Sequence, residues 1–122
     1  KAQVMTEAMG ALVVFDGIVR NHDHGSAVRG LSYSAHPQAK EYIARVVQSV
    51  ADELEGVRLW AVHRVGPIAI GESALTVLAA AAHRGRAFEA CEAVADRVKA
   101  QVPIWKEQEL TDGSTEWVGI DT

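Results

Sequence analysis

Residues 73–101 read SALTVLAAAAHRGRAFEACEAVADRVKAQ, and the change of rhythm inside this stretch decides the fold. From Ser73 to Ala82 the chain is apolar apart from Ser73 and Thr76, the mark of a strand buried on both faces, although its alanines also suit a helix. His83 and Arg84 then break the run. Beyond them Phe88, Cys91, Ala95 and Val98, helped by Ala87 and Val94, recur at helical spacing and form an inner stripe. Pro103 cannot continue a helix, so the spacing predicts one over 84–101.

Upstream, residues 37–56 hold the clearest helix. Ala39, Tyr42, Ile43, Val46, Val47, Val50, Ala51 and Leu54 follow the i, i+3, i+4, i+7 pattern, with Pro37 suited to the first turn and Gly56 to the stop. Residues 57–65 read as a strand ended by Gly66-Pro67, and 68–70 as a short apolar piece before the break at Gly71-Glu72. Residues 10–20, GALVVFDGIVR, form a β-rich run in which Gly17 marks a bulge or a close backbone approach. A polar turn over 21–27 and a strand over 28–33 come next, a hairpin with a long loop. Downstream, two strands flank Thr111-Asp112-Gly113-Ser114, a hairpin signal. The order β-β-α-β-β-β-α-β-β predicts a single α+β domain over 1–122, with two helices packed on a mainly antiparallel sheet.

The 122 residues suffice for one core. The net charge of −4 argues against a dedicated nucleic-acid binder, and no apolar run approaches a membrane span, so neither nucleic acid nor membrane is expected as a partner. The single cysteine, Cys91, excludes an internal disulfide and points to a reducing, cytoplasmic compartment. Its place on the helical stripe favours a buried structural thiol over a nucleophile. The chain starts at Lys1 without an initiator methionine and shows no signal peptide; residues are expected to have preceded it.

No P-loop, GxGxxG, HExxH, paired CxxC or GxSxG motif is present. His22 and His24 alternate in a loop, but no carboxylate or cysteine cluster completes a metal site, and a solvated turn is the better reading. Two His-Arg pairs, His63-Arg64 and His83-Arg84, each end an apolar strand; arginine there is suited to phosphate or carboxylate, but on the residues alone a surface arginine and a histidine bonded to backbone is the better reading. Lys99 closes the second helix and Lys106 begins the next strand, with Pro103 bending the chain between them. Both lysines could thereby face one cleft, where each would depress the other's pKa, but on the residues alone a solvated Lys99 paired with Asp96 and a Lys106 on the polar side of its strand is the better reading.

In family order over nearly the whole chain run Gly10-Ala11, Phe15-x-Gly17-x-Val19-Arg20-Asn21, Leu31-x-Tyr33, His63-Arg64-Val65-Gly66, Gly71-Glu72, Ala82-His83-Arg84, Ala87-Phe88, Asp96-x-x-Lys99, Val102-Pro103-Ile104-Trp105-Lys106, Asp112-Gly113 and Trp117-Val118. Together these resemble the large, catalytic subunit of molybdopterin synthase. The resemblance implies an α/β-hammerhead fold, a homodimer, and a small ubiquitin-like sulfur-carrier subunit at each end of that dimer. The implied reaction converts a cyclic pyranopterin monophosphate into molybdopterin, the dithiolene sulfurs arriving as a thiocarboxylate on the carrier's C-terminal glycine; no metal or organic cofactor is implied.

By position, the resemblance makes Lys99 and Lys106 the catalytic lysines. Ile18, Val19 and Arg20 line the same pocket, and His83 and Arg84 reach the substrate from the other protomer. The residues after Lys106 also line the family's pocket, but here Glu107 and Gln108 stand where the family often has a basic residue and then Glu. The family carries a strand and loop ahead of the Gly-Ala motif, and only nine residues precede Gly10, so that segment is expected to be truncated. Two other classes remain open: a module that docks an acidic peptide tail on the basic cluster, and a dimerisation domain with solvated lysines.

Overall fold

A computed structural model describes residues 2–20, 22–23, 26–35, 37–102, 104–110 and 115–119, with side chains described over 2–20 and 37–102. The elements are β1 (Ala11–Ile18), β2 (His22–Asp23), β3 (Ser26–Ala35), α1 (Ala39–Glu53), β4 (Arg58–His63), β5 (Gly66–Ile68), β6 (Ser73–Ala81), α2 (Arg84–Gln101), β7 (Ile104–Leu110) and β8 (Thr115–Gly119). Among the described residues the strands form two sheets. One has the order β1-β6-β4; in the other β2, β3, β7 and β8 lie in sequence, with β5 also on β3. Every pairing is antiparallel.

The predicted α+β class holds, with both helices against the first sheet. β6 is central because it alone is apolar enough to be covered on both faces. Leu75, Val77 and Ala79 meet Ile43, Val46 and Val50 of α1 and Ala90, Cys91, Val94 and Val98 of α2. Leu78 and Ala80 point the other way, to Val4, with Met9, Leu12 and Trp60 around them. Residues ahead of β1 thus cover the sheet's second face, and Val4 is fully buried. Each fully buried valine contributes about 1.5–3 kcal/mol relative to an exposed one.

Several expectations need correction. β1 makes no hairpin with the strand after it: it pairs with β6 from Ala11↔Ala81 to Ile18↔Ser73, while β3 pairs with β7. The register of β1 shifts between Gly17 and Ile18, where the chain leaves the first sheet for the second. The stretch read as a polar turn contains β2, which pairs His22 with Ala27 and Asp23 with Ser26. Gly66-Pro67 does not merely end a strand; it opens β5, with Gly66 at a positive φ of 87° making the corner. Pro67 is tolerated because β5 is short and peripheral.

α2 spans the predicted residues, but its stripe is rotated. Phe88 is 60% exposed, and Ala87, Ala90, Cys91, Val94 and Val98 face inward. Small residues at the contact let the helix lie close to the alanine-rich β6, a seat in which a phenylalanine ring would not fit. The glycine forced by a close approach is Gly10: a Cβ there would stand 2.4 Å from the Ala82 carbonyl oxygen, whereas one at Gly17 would meet ordinary 3.6 Å contacts.

Candidate active site

The path of α2 sets the ends of the site. The helix starts just after β6, and its Cys91 thiol shares a hydrogen bond with the Phe15 backbone in mid-β1. It therefore runs back along the sheet, antiparallel to β6. Arg84 lies at the end where β6 finishes; Lys99 lies where β6 begins and β1 finishes. At about 1.5 Å per residue the two are roughly 22 Å apart along the helix.

Ile18, Val19 and Arg20 emerge at the Lys99 end. Ile18 is half-exposed and Val19 buried, and the Val19 backbone is held on both sides: its N–H donates to Glu72 O (3.0 Å) and its carbonyl accepts from Gly71 N–H (2.8 Å). Arg20 comes next as an exposed side chain. Lys99 is exposed in the last turn of α2, where a cation complements the helix dipole, between buried Val98 and Val102. Among the described residues it makes no ion pair, with Asp96 or any other carboxylate.

Lys106 is placed by register alone, opposite Tyr33 and Val118, with Glu107 opposite Ser32 and Trp117, and Gln108 opposite Leu31 and Glu116. The side chains of Lys106, Glu107 and Gln108 lie outside the described residues, and so do the shared cleft of the two lysines, the His22–His24 side chains and the turn 111–114. Among the described residues no three His, Cys, Asp or Glu side chains gather as metal ligands, and no helix is long and apolar enough to cross a membrane.

The opposite end carries His83 and Arg84, both exposed. His83 is the extended N-cap of α2 and its carbonyl receives Ala87 N–H; no acidic side chain occupies the first turn. Arginine beside unsatisfied helix N–H groups makes that end receptive to an anion. The first His-Arg pair differs. His63 is half-buried at the end of β4, its Nδ1–H donates to the Arg64 carbonyl (2.6 Å), and desolvation holds its pKa below the ordinary 6.5 against that bond. Arg64 donates its N–H to Ala74 O (2.8 Å) and its Nη1 to Ser73 O (3.4 Å). Nearby, Asp16 accepts Ser73 Oγ and Thr76 Oγ1 (2.8 Å each), bonds that lower its carboxyl pKa.

Cys91 is buried, and burial pushes its thiol pKa up, against the Phe15 backbone bond. It is a packing residue in its protonated form, in keeping with its place on the helical stripe.

The sequence matches a known family over most of its length: the profile described as "MoaE protein" covers residues 1–101. The chain belongs to the MoaE protein family. Molybdopterin synthase catalytic subunit 1 of Mycobacterium tuberculosis is 37% identical over 119 residues, which is 97% of this chain and 80% of that protein. The crystal structure of molybdopterin synthase from Staphylococcus aureus superposes with a TM-score of 0.89 at 33% identity, over 95% of this chain and 85% of that one. A protein–protein complex of subunits 1 and 2 of molybdopterin-converting factor from Helicobacter pylori matches at 27% identity with a TM-score of 0.74, over 92% and 73%. The family likeness thus agrees with the predicted class of fold.

Proposed function

We propose that this chain acts, as one catalytic domain, as the large subunit of a molybdopterin synthase. It is a sulfurtransferase that turns a cyclic pyranopterin monophosphate into molybdopterin with sulfur from a thiocarboxylated carrier protein. The observation that carries this reading is likeness over 97% of the chain to a protein named as such a catalytic subunit. The placement of the basic residues supports it. Lys99 and Arg20 sit at one end of the β1–β6–α2 layer, and Lys106 follows in β7, the next element of the chain after α2. Lys99 and Lys106 are assigned the reacting centre, where an ammonium protonates a leaving oxygen or stabilises an anionic adduct. Ile18, Val19 and Arg20 form the wall, and Glu107 and Gln108 extend it.

His83 and Arg84 bind the phosphate by charge-assisted hydrogen bonds. They stand too far from Lys99 to serve the same pocket within one protomer. A two-fold homodimer, which sets one copy's α2 N-terminus against the other copy's Lys99 end, completes two equal sites. The sulfur arrives on the carrier's C-terminus, in line with a Cys91 that is buried and protonated. A lone reduced thiol fits the cytoplasm. Incubating the protein with the cyclic precursor and thiocarboxylated carrier tests the reading: dithiolene product is expected, and binding of the carrier tail without turnover would reduce the chain to a docking module.

A further inference from the structure

The pieces His63-Arg64 and Gly71-Glu72 have no part in the proposed chemistry itself, yet their contacts converge on the segment that presents Arg20. Residues 69–72 make a tight turn in which Glu72 N–H donates to Ala69 O (3.1 Å) and Gly71 takes a φ of 90°, the pattern that requires glycine at the third position. Glu72 closes the same turn a second time with its side chain, Oε1 accepting Ala69 N–H at 2.8 Å. Its other oxygen faces Arg64 Nη1 at 3.9 Å, and Arg64 is itself fastened to the start of β6 through Ser73 O and Ala74 O. The outer edge of this turn then grips β1 just past its register shift: Glu72 O and Gly71 N–H hold the two backbone polar groups of Val19. Beyond Gly17 the regular ladder is interrupted, so these two bonds set where the backbone delivers the next residue, Arg20.

We infer that Glu72 is a positioning residue for Arg20, working through the 69–72 turn, with Arg64 as the anchor of that turn. The inference rests on the reading of Arg20 as a wall of the substrate pocket. The Glu72–Arg64 pair is exposed and adds little stability by itself. The carboxylate bond to Ala69 N–H carries the effect, because it limits the breathing of a turn whose displacement moves a substrate-binding guanidinium, and misplacements near 1 Å are costly to turnover.

A double-mutant cycle on the whole subunit with its carrier tests this. Glu72→Ala should lower kcat/KM for the cyclic precursor by about tenfold in the native background and by less than about twofold when Arg20 is already alanine. Glu72→Gln keeps an oxygen for Ala69 N–H and should restore most of the activity. Circular dichroism confirms that each variant is folded. An equal loss in both backgrounds, or a silent Glu72→Ala beside an impaired Arg20→Ala, overturns the inference and leaves the pocket assignment standing. A silent Arg20→Ala overturns the assignment of Arg20 itself, and the role of Glu72 with it.

Discussion

His63-Arg64 and His83-Arg84 are the same dipeptide at the end of an apolar strand, and the fold gives them opposite surroundings. After β4, the imidazole is half-buried and bonded to backbone, and the guanidinium reaches along the sheet to Ser73 O and toward Glu72. After β6, both side chains are exposed at the start of α2, with no acidic residue in the first helical turn. The contrast lies in the element that succeeds each pair. A short strand with a compact turn folds back on the first pair, whereas a helix departs from the second and leaves its amide groups facing outward. A dipeptide therefore indicates which chemistry is within reach, and the next element decides whether that chemistry is spent on the protein or offered to a ligand.

Substitutions at both ends and in the core test and sharpen this contrast between a knitted end and an offering end. Lys99→Ala should lower dithiolene formation by roughly 10²–10⁴-fold with the fold intact, since the side chain is exposed and leaves no core cavity. Turnover at saturating carrier close to the native rate would remove Lys99 from the reaction. Arg84→Ala should cost about 10–100-fold, the range for a hydrogen bond to a charged group, with an unchanged melting temperature. Mixing Arg84→Ala with Lys99→Ala protomers should recover about a quarter of the native activity, because the mixed dimer keeps one intact site. Recovery of nothing from a mixture proven to exchange subunits would place both residues in one protomer's site.

Cys91→Ser should lose about 1–3 kcal/mol of stability, read by chemical denaturation, if the buried hydroxyl finds no acceptor, while activity per folded molecule persists. Loss of turnover in folded protein would mean that sulfur passes through this chain. The smallest effect belongs to His63. Its pKa is lowered in the fold, so the unfolded chain takes up the proton first as the pH drops, and the contribution present above 6.5 is lost as the pH falls below that value. Melting curves at pH 7.5 and 5.5 should show a decrease that His63→Asn reduces.

What local rhythm controls was legible in the sequence: the span of α2, the body of α1, the buried β6, the β7–β8 hairpin and the inward Cys91. Each depends on neighbours a few residues away, through helical or strand periodicity and the breakers Gly56 and Pro103. Lys99, Arg20, His83 and Arg84 were legible as candidates because their spacing resembles a known family. Tertiary structure decided what local rhythm leaves open. β1 passes over the nearest following strand for β6, because β6 is the strand whose two apolar faces both require cover. Phe88 turns outward although its spacing sets it on the inner stripe, because only small residues let α2 rest on the alanines of β6. The two His-Arg pairs part company, since burial, hydrogen-bond partners and the direction of the next element arise from contacts between residues distant in sequence.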